Sequence, residues 1–437
     1  MSGNATFFEP GRNLPVGGRS EVVVCGGGPA GVAAAVAAAR GGASVILLEA
    51  AAMPGGIMTG GLMPNIIDAD GKGGFLAELL SALRECGAVG NYNSFWPETV
   101  KHFLESTLVA AGVEIHYNTL VCAVPCEGRK ISAVIAESPS GREVFAGDLF
   151  VDCTGNGTVS ALAGCGYDCG DPVSGQPQAA SLCAIVGGVP AVRIPDFWQQ
   201  EEDLGKRKLL SALQQAGCTP SYRMPTLFRL TESAYLLMSN HEHGVRPDDS
   251  AGISAALIQA RQEIFDQISR LRKTVPEMAN LCLLTTASAL GLREGRRIHA
   301  RYNLTAADLI AGQSHKDAVC RVRVPVDIHP SVADGGSGYS TGGIAARPFD
   351  VPLRSLIASD RDNLLLGGRC IGGDFYAHAA YRVLGNAIPI GEGAGIAAAA
   401  AVRKGKVPEA LTVADFHEFG GNPHRFLSSD LSERTEK

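Results

Sequence analysis

The chain has 437 residues, 46% of them apolar and 19% charged, with a formal net charge of −6. A length beyond one ordinary core predicts two domains, and a mildly negative balance with no dense Lys/Arg block argues against a nucleic-acid partner. No uninterrupted apolar run reaches the roughly 18 residues of a membrane span, and Met1 to Gly18 lacks the order of a secretory signal.

The first predicted unit is strand, glycine turn, helix, strand, acid. A β-branched run, Val22 to Cys25, meets Gly26-Gly27-Gly28-Pro29-Ala30-Gly31; an Ala-rich helix follows from Val32 to Arg40, and Val45 to Leu48 ends on Glu49. In such a unit Gly26 allows the sharp turn, Gly28 the approach of a pyrophosphate, and Gly31 close helix–strand packing. The helix start offers unbonded N–H groups to the phosphates, and Glu49 is placed for the adenosine ribose. Next comes Pro54 to Gly61, glycine-rich enough for backbone to pass close to a ligand.

Apolar spacing predicts helices over Gly74 to Cys86 and Pro97 to Ala111, then a short strand at Val113 to His116. Leu120 to Val124, Ile131 to Glu137 and Glu143 to Ala146 read as an antiparallel meander, and Leu149 to Asp152 as a further buried strand. From about Gly166 the pattern becomes mixed: strands at Ala180 to Val186, Ser233 to Met238 and Leu281 to Ala289, and a long polar helix at Ala255 to Lys273. Asn363 to Arg369 is a strand running into a glycine turn, and Asn386 to Arg403 an Ala/Gly-rich helix. The fold expected is therefore α/β, a Rossmann-like dinucleotide domain with parallel sheet and meander (20–165 and 353–405) and an inserted α+β substrate or cap domain (166–352). Residues 1–19 and 406–437 read as tails.

Twelve cysteines lie scattered with no Cys-x-x-Cys. Zinc, iron–sulfur and thioredoxin-type arrangements want tighter clusters, so no metal is expected, and most cysteines read as small buried hydrophobes of a reducing compartment, the cytoplasm. A nicotinamide enzyme would need only the first glycine turn, whereas glycine-rich contact candidates extend to residue 391. That spread favours FAD, whose two halves reach across a domain.

The order Gly26 to Gly31, Glu49, Gly55 to Leu62, Val151 to Gly157, Leu292 to Ile298, Asn363 to Ile371 and Arg382-Val383 ahead of Gly391 to Gly395 resembles the FAD-dependent oxidoreductase family of the glutathione-reductase-like flavoproteins. Asn156-Gly157-Thr158 stands where that family usually has Asp-Gly-Asp, and Gly295 where Ser is usual. The resemblance implies that Gly26, Gly28, Pro29, Ala30 and Gly31 hold the pyrophosphate. It puts Glu49 and Ala50 at the ribose, Val121 at adenine through its backbone, and Thr154 and Gly155 on the adenosine side. Gly55, Gly56, Ile57, Met58 and Thr59 would line the ribityl and flavin edge, with Arg369, Leu384, Gly385 and Asn386 at the far end. A helix starting near Asn386 would direct its positive end at the reduced flavin.

No second glycine fingerprint follows, so electrons are expected from substrate or from a separate partner, and leave to a separate acceptor or oxygen. Two-electron oxidation needs a base, and histidine is best matched to neutral pH. His378 is the first candidate, between the glycine turn at Gly368 and the flavin-facing helix; His329 is second, since Asp327 could orient it. His241-x-His243 reads as a solvated turn. Arg293, Arg296, Arg297 and Arg301 at near-helical spacing, with Arg382, form either an anion site for a small substrate or a charged helix face. Tyr381 either donates a hydrogen bond or covers the flavin. The leading expectation is a dehydrogenase or oxidase of a polar small molecule. A C=C reductase, a hydroxylase and a non-catalytic electron-transfer subunit are the alternatives.

Overall fold

The structure, a computed structural model, describes residues 8–63, 65–87, 93–199, 203–332 and 338–421. Strand β1 (Val16–Cys25) begins four residues before the predicted boundary, so the expected tail contributes to the sheet. Val22, Val23 and Val24 have no exposed surface, as expected of a parallel strand covered on both faces. Helix α1 (Pro29–Arg40) follows, then β2 (Val45–Leu48), α2 (Gly74–Glu85), α3 (Pro97–Ala110), β3 (Glu114–His116), β4 (Leu120–Ala123), β5 (Ala133–Ser138) and β6 (Gly141–Asp152). The sheet order is β3-β2-β1-β6-β5-β4, with strand Leu364–Leu366 also on β6.

Sequence reading split β6 in two; the structure makes it one strand with two jobs. Residues 141–146 pair antiparallel with β5, and Phe150 to Asp152 pair parallel with Leu364–Leu366. Gly147 and Asp148 interrupt the apolar pattern, but the chain keeps its direction and stays paired with β1 through Asp152.

A second sheet, β8-β9-β7-β10, consists of β7 (Cys183–Gly187), β8 (Thr226–Arg229), β9 (Ala234–Met238) and β10 (Cys282–Thr286). The long helix α4 (Ser250–Thr274) packs on it through Ala260, Ile264, Ile268 and Leu271, and Asp249 caps its first turn. This second apolar core draws on residues from Ala180 to Leu290, with Leu62. From Ile298 onward the chain returns to the first core, which includes Leu304, Leu309, Val319, Val326, Phe349 and Val351. The apolar contacts thus end the inserted unit near residue 290, earlier than the expected 352. Phe416, in the predicted C-terminal tail, is also part of the first core; residues 422–437 lie outside the described residues.

Helices α5 (Phe375–Tyr381) and α6 (Leu384–Lys404) meet at 95°. No single helix among the described residues is long and apolar enough to cross a membrane. The composition of α6 has a packing cause. A Cβ on Gly391 would come 2.1 Å from the Ala30 carbonyl oxygen, and one on Gly395 equally close to that of Ala34. The Gly/Ala stripe lets α6 lie on α1 backbone to backbone, and that contact fixes α6 against the first βα unit. Gly391, counted in sequence among the ligand-contact candidates, is thus a helix-packing glycine.

Candidate active site

The glycine fingerprint folds as a tight cradle with one open side. Gly26 has φ +96°, and a Cβ there would sit 2.5 Å from the Cys153 carbonyl oxygen. At Gly31 it would sit 1.8 Å from the Gly26 carbonyl oxygen. Gly28, the N-cap of α1, has nothing within 4 Å of its would-be Cβ. The two flanking glycines are therefore required by the protein itself, while the middle one leaves space at a helix start where N–H groups lack intrahelical acceptors. Pro29 opens the helix, and Ala30 and Gly31 follow in its first turn.

Glu49 ends β2 beside this turn. Its Oε2 accepts from the Gly27 N–H at 2.5 Å and its Oε1 from the Ala51 N–H at 2.7 Å. Burial raises its carboxyl, against the pull of these amides. A carboxylate has about four acceptor positions, so two remain for a diol. Ala50 follows directly, and Val121 is buried on β4 nearby, after the Thr119 N–H bonds the Glu49 carbonyl.

The second glycine segment docks on the first: the Gly55 N–H donates to the Gly27 carbonyl at 2.7 Å, and a Cβ on Gly56 would be 3.0 Å from Gly28 Cα. Gly55 and Gly56 both have positive φ. Ile57 and Met58 continue in a short 3-10 turn, with Met58 buried, and Thr59 Oγ1 donates to the Pro54 carbonyl. Glu49, the Gly26–Gly31 turn and the 55–61 loop thus form one contiguous surface.

On the other side, Asp152 is completely buried and accepts four hydrogen bonds: from the N–H and Oγ1 of Thr154, and from the N–H and Oγ of Ser160. It thereby pins the Thr154-Gly155 loop to the short helix behind it. Sequence reading expected Thr154 and Gly155 on the adenosine side and gave Asp152 no role, although Asp152 builds their loop. Arg369 clamps the same region, donating from Nε to the Gly155 carbonyl (2.7 Å), from Nη2 to Asn156 Oδ1 (2.8 Å) and from Nη1 to the Leu292 carbonyl. The two departures from the family pattern are neighbours: a Cβ on Gly295 would be 2.9 Å from Asn156 Oδ1 and 2.8 Å from its Cα. With Asn156 so placed, a serine at 295 has no room.

At the far end, Leu384 starts α6, and Gly385 passes beneath Ile67 and Asp68, where a Cβ would come 2.3 Å from a carbonyl oxygen. Buried Asn386 bonds Lys72 Nζ, which also pairs with Asp68 at 2.9 Å in near-complete burial. Lys72 and Asp68 had no motif to announce them.

The catalytic candidates separate. His378 has 0% exposure, and among the described residues neither ring nitrogen has a partner; burial and the charges of Arg297, Arg382 and Arg369 hold its imidazole well below the ordinary value. Tyr381, equally buried, donates its hydroxyl to the Ile371 carbonyl at 3.1 Å and holds the α5 turn in place. Arg296 bonds the Asn156 carbonyl (3.1 Å) and faces Asp248 (3.5 Å). The helix that the arginine spacing suggested does not form, because residues 291–301 contain no helical residue. Arg297 instead pairs with buried Glu294, and Arg301 with Glu409.

His329 and Arg382 do come together with residues sequence reading set aside. Arg382 Nη2 donates to the carbonyl of Asp327 (2.7 Å) and to its Oδ2 (3.2 Å), and His329 Nε2 stands 3.5 Å from the same Oδ2. Burial pushes the Asp327 carboxyl up, but His329, Arg382 and Arg293 outweigh it and keep it ionised. Burial and the Arg293 charge lower His329 to about 4, so its imidazole is neutral at pH 7. His241 is 3% exposed, its ring 5.2 Å from that of His329 and 4.3 Å from that of Tyr222. The expected solvated turn is thus a buried cluster, formed because Ala180 pairs with Glu242 and carries the strand inward. Burial and Arg293 bring His241 down to about 2. Gln178 Nε2, His241 Nε2, His329 Nδ1 and Arg382 Nε are all buried without a partner among the described residues.

Comparison with known sequences decides the family: residues 21–419 match the FAD dependent oxidoreductase family. The chain belongs to that family. It is a flavoenzyme that binds FAD, and the open cradle at Gly28, the carboxylate of Glu49 and the docked 55–61 loop suit that dinucleotide. Sequence comparison with curated proteins gives no match. Among solved structures, the chain is similar to AlpK (TM-score 0.48, 15% identity, 92% of this chain, 66% of that one). It is also similar to the anhydrotetracycline hydroxylase OxyS of Streptomyces rimosus (0.47, 12%, 92% and 65%). A third is a geranylgeranyl bacteriochlorophyll reductase-like protein of Thermoplasma acidophilum (0.45, 12%, 92% and 83%). The chain spans just under two thirds of the first two, and at these scores the likenesses say nothing about substrate.

Proposed function

We propose that the protein is an FAD-dependent dehydrogenase or oxidase that takes hydride from a carbon bearing oxygen or nitrogen in a polar small molecule. Support comes chiefly from the Asp327–His329 pair, a neutral imidazole backed by an ionised carboxylate and carrying a buried, unpartnered Nδ1. FAD, when bound, supplies the two-electron acceptor. Oxidation of H–C–OH to C=O releases a proton besides the hydride, and His329 is the group placed to take it at Nδ1. Asp327 then stabilises the imidazolium through Nε2, and Arg382 keeps Asp327 oriented. His378, which has no accessible surface, is not proposed as the base.

In this reading Gly26 to Gly31 hold the pyrophosphate, Glu49 and Ala50 the ribose, Val121 the adenine, and the 55–59 loop with Leu384 to Asn386 the flavin end, as in glutathione-reductase-like flavoproteins. All twelve cysteines are free, which fits a reducing compartment such as the cytoplasm. The electron acceptor is oxygen or a separate partner. Reduction of an activated C=C is a second reading, favoured by Tyr222, which burial pushes up to about 12 so that it keeps a proton to donate. Anaerobic mixing with candidate substrates tests the proposal: hydroxy or amino compounds should bleach the flavin, and His329→Gln should slow that step by about two powers of ten. Bleaching at the wild-type rate in His329→Gln refutes the assigned base, and a prereduced flavin reoxidised only by enoates refutes the direction.

A further inference from the structure

We infer that Arg293 is the anchor for a carboxylate, which makes this a site for small organic acids. The inference deepens the proposed function and takes from it only the position of the flavin beside the 55–61 loop.

Arg293 lies next to that loop. Ser181 and Gly291 bond each other in both directions (3.1 and 2.8 Å), and a Cβ on Gly291 would be 3.4 Å from Ile57 Cδ1. Two residues on, Arg293 Nη1 donates to the Ala179 carbonyl (2.6 Å) and to Ser181 Oγ (2.9 Å). Those bonds fix where the guanidinium plane sits. The residue as a whole is only partly buried, and among the described residues no carboxylate pairs with its guanidinium.

The neighbouring arginines differ in this respect. Arg382 faces Asp327, Arg297 faces Glu294 and Arg296 faces Asp248. Arg369 has no carboxylate, but its Nε and both Nη atoms are used on Gly155, Leu292 and Asn156. Among the described residues, Arg293 combines the lack of a carboxylate partner with nitrogens beyond Nη1 left unused, whereas Arg382, whose Nε is also unused, is already held by Asp327; the Arg293 fork matches a carboxylate bidentately. The groups bonded to this cation are neutral and the Asp327 carboxylate acts on it only from beyond ion-pair distance, so the cost of burying the charge is incompletely offset and an incoming anion relieves it. The lowering of Arg293 to about 10 by burial and Arg382 expresses the same strain.

The groups around it suit the rest of such a molecule. His241, His329 and Tyr222 all feel the Arg293 charge, and the unpartnered His241 Nε2, His329 Nδ1 and Gln178 Nε2 can meet a hydroxyl or amine beside the carboxylate. A groove of about 750 Å³ on α4 does not compete for this role. It is lined by Glu263, which holds Ser221, and Ser221 Oγ in turn accepts from the His241 N–H, so a layer of protein separates the two.

The test titrates oxalate, acetate and neutral acetamide into FAD-loaded protein, read by the flavin difference spectrum and by calorimetry. Oxalate and acetate should bind saturably and acetamide should not. Arg293→Met should weaken oxalate at least about tenfold while FAD affinity stays within about threefold. Arg301→Met, on the surface, should bind oxalate as wild type does. Absence of anion binding in the wild type, unchanged oxalate affinity in Arg293→Met, or loss of FAD in place of oxalate each overturns the inference. If the Met variant does not fold, Arg293→Lys should still lose about tenfold, because an ammonium cannot supply the fork; equal affinity overturns the assignment. Oxalate binding without flavin bleaching by any hydroxy or amino acid would sink the dehydrogenase reading and leave the anchor. Bleaching by neutral alcohols with no oxalate competition would do the reverse.

Discussion

Gly28→Ala isolates the pyrophosphate cradle from the fold. Gly28 has φ −63° and ψ 177°, a conformation open to alanine, and its would-be Cβ touches nothing. The variant should fold with wild-type stability or gain about 0.4–1 kcal/mol from a less flexible unfolded chain. The new methyl occupies the space over the start of α1, where a phosphate must approach the N–H groups. Losing two charge-assisted hydrogen bonds at about 1.5–3 kcal/mol each gives about 3–6 kcal/mol, or roughly 10²- to 10⁴-fold in FAD affinity. FAD titration of apoprotein by fluorescence quenching measures it, with thermal unfolding of the same apoprotein as the control. Gly31→Ala is the contrast: its Cβ would sit 1.8 Å from the Gly26 carbonyl oxygen, so stability itself should fall. Wild-type FAD affinity in Gly28→Ala would refute the placement of the pyrophosphate.

Further outcomes follow from the same geometry. Asp152→Asn replaces an acceptor of four hydrogen bonds by a group that must donate, and should cost about 2–4 kcal/mol in urea unfolding together with weaker FAD binding. His378→Phe removes two unpartnered buried nitrogens and should leave the rate of flavin reduction within about threefold in stopped-flow measurements, since burial rather than catalysis defines that site. The acid limb of kcat/KM should follow His329. Its folded value is lowered to about 4, so the neutral base persists as pH falls through 6.5 and is lost only on passing about 4. An acid limb centred near 6.5 in the pH profile would contradict the environment assigned to His329.

Much of the nucleotide half was legible in sequence because its causes are local. A β-branched run, a glycine triplet spaced for turn, approach and packing, and an acid at the next strand end each constrain their own backbone. The meander was readable for the same reason. The substrate half was not, because its chemistry depends on contacts between distant segments. His241 looks solvated in sequence, and only the pairing of Ala180 with Glu242 turns it inward. The arginines of 293–301 have helical spacing, yet the chain there forms no helix and sends Arg293, Arg296 and Arg297 to three different partners. His378 sits at the right place along the chain but on a face of α5 whose packing leaves its imidazole no exposed surface. Lys72 and Asp68 gave no signal, since a buried ion pair has no local motif.

The most direct measurement is anaerobic flavin reduction by a series of small hydroxy and amino acids in the wild type and in His329→Gln. Bleaching by at least one acid, slowed about a hundredfold by the substitution with FAD content unchanged, is the expected result. A flavin that none of them reduces, or that both proteins reduce at one rate, contradicts the account.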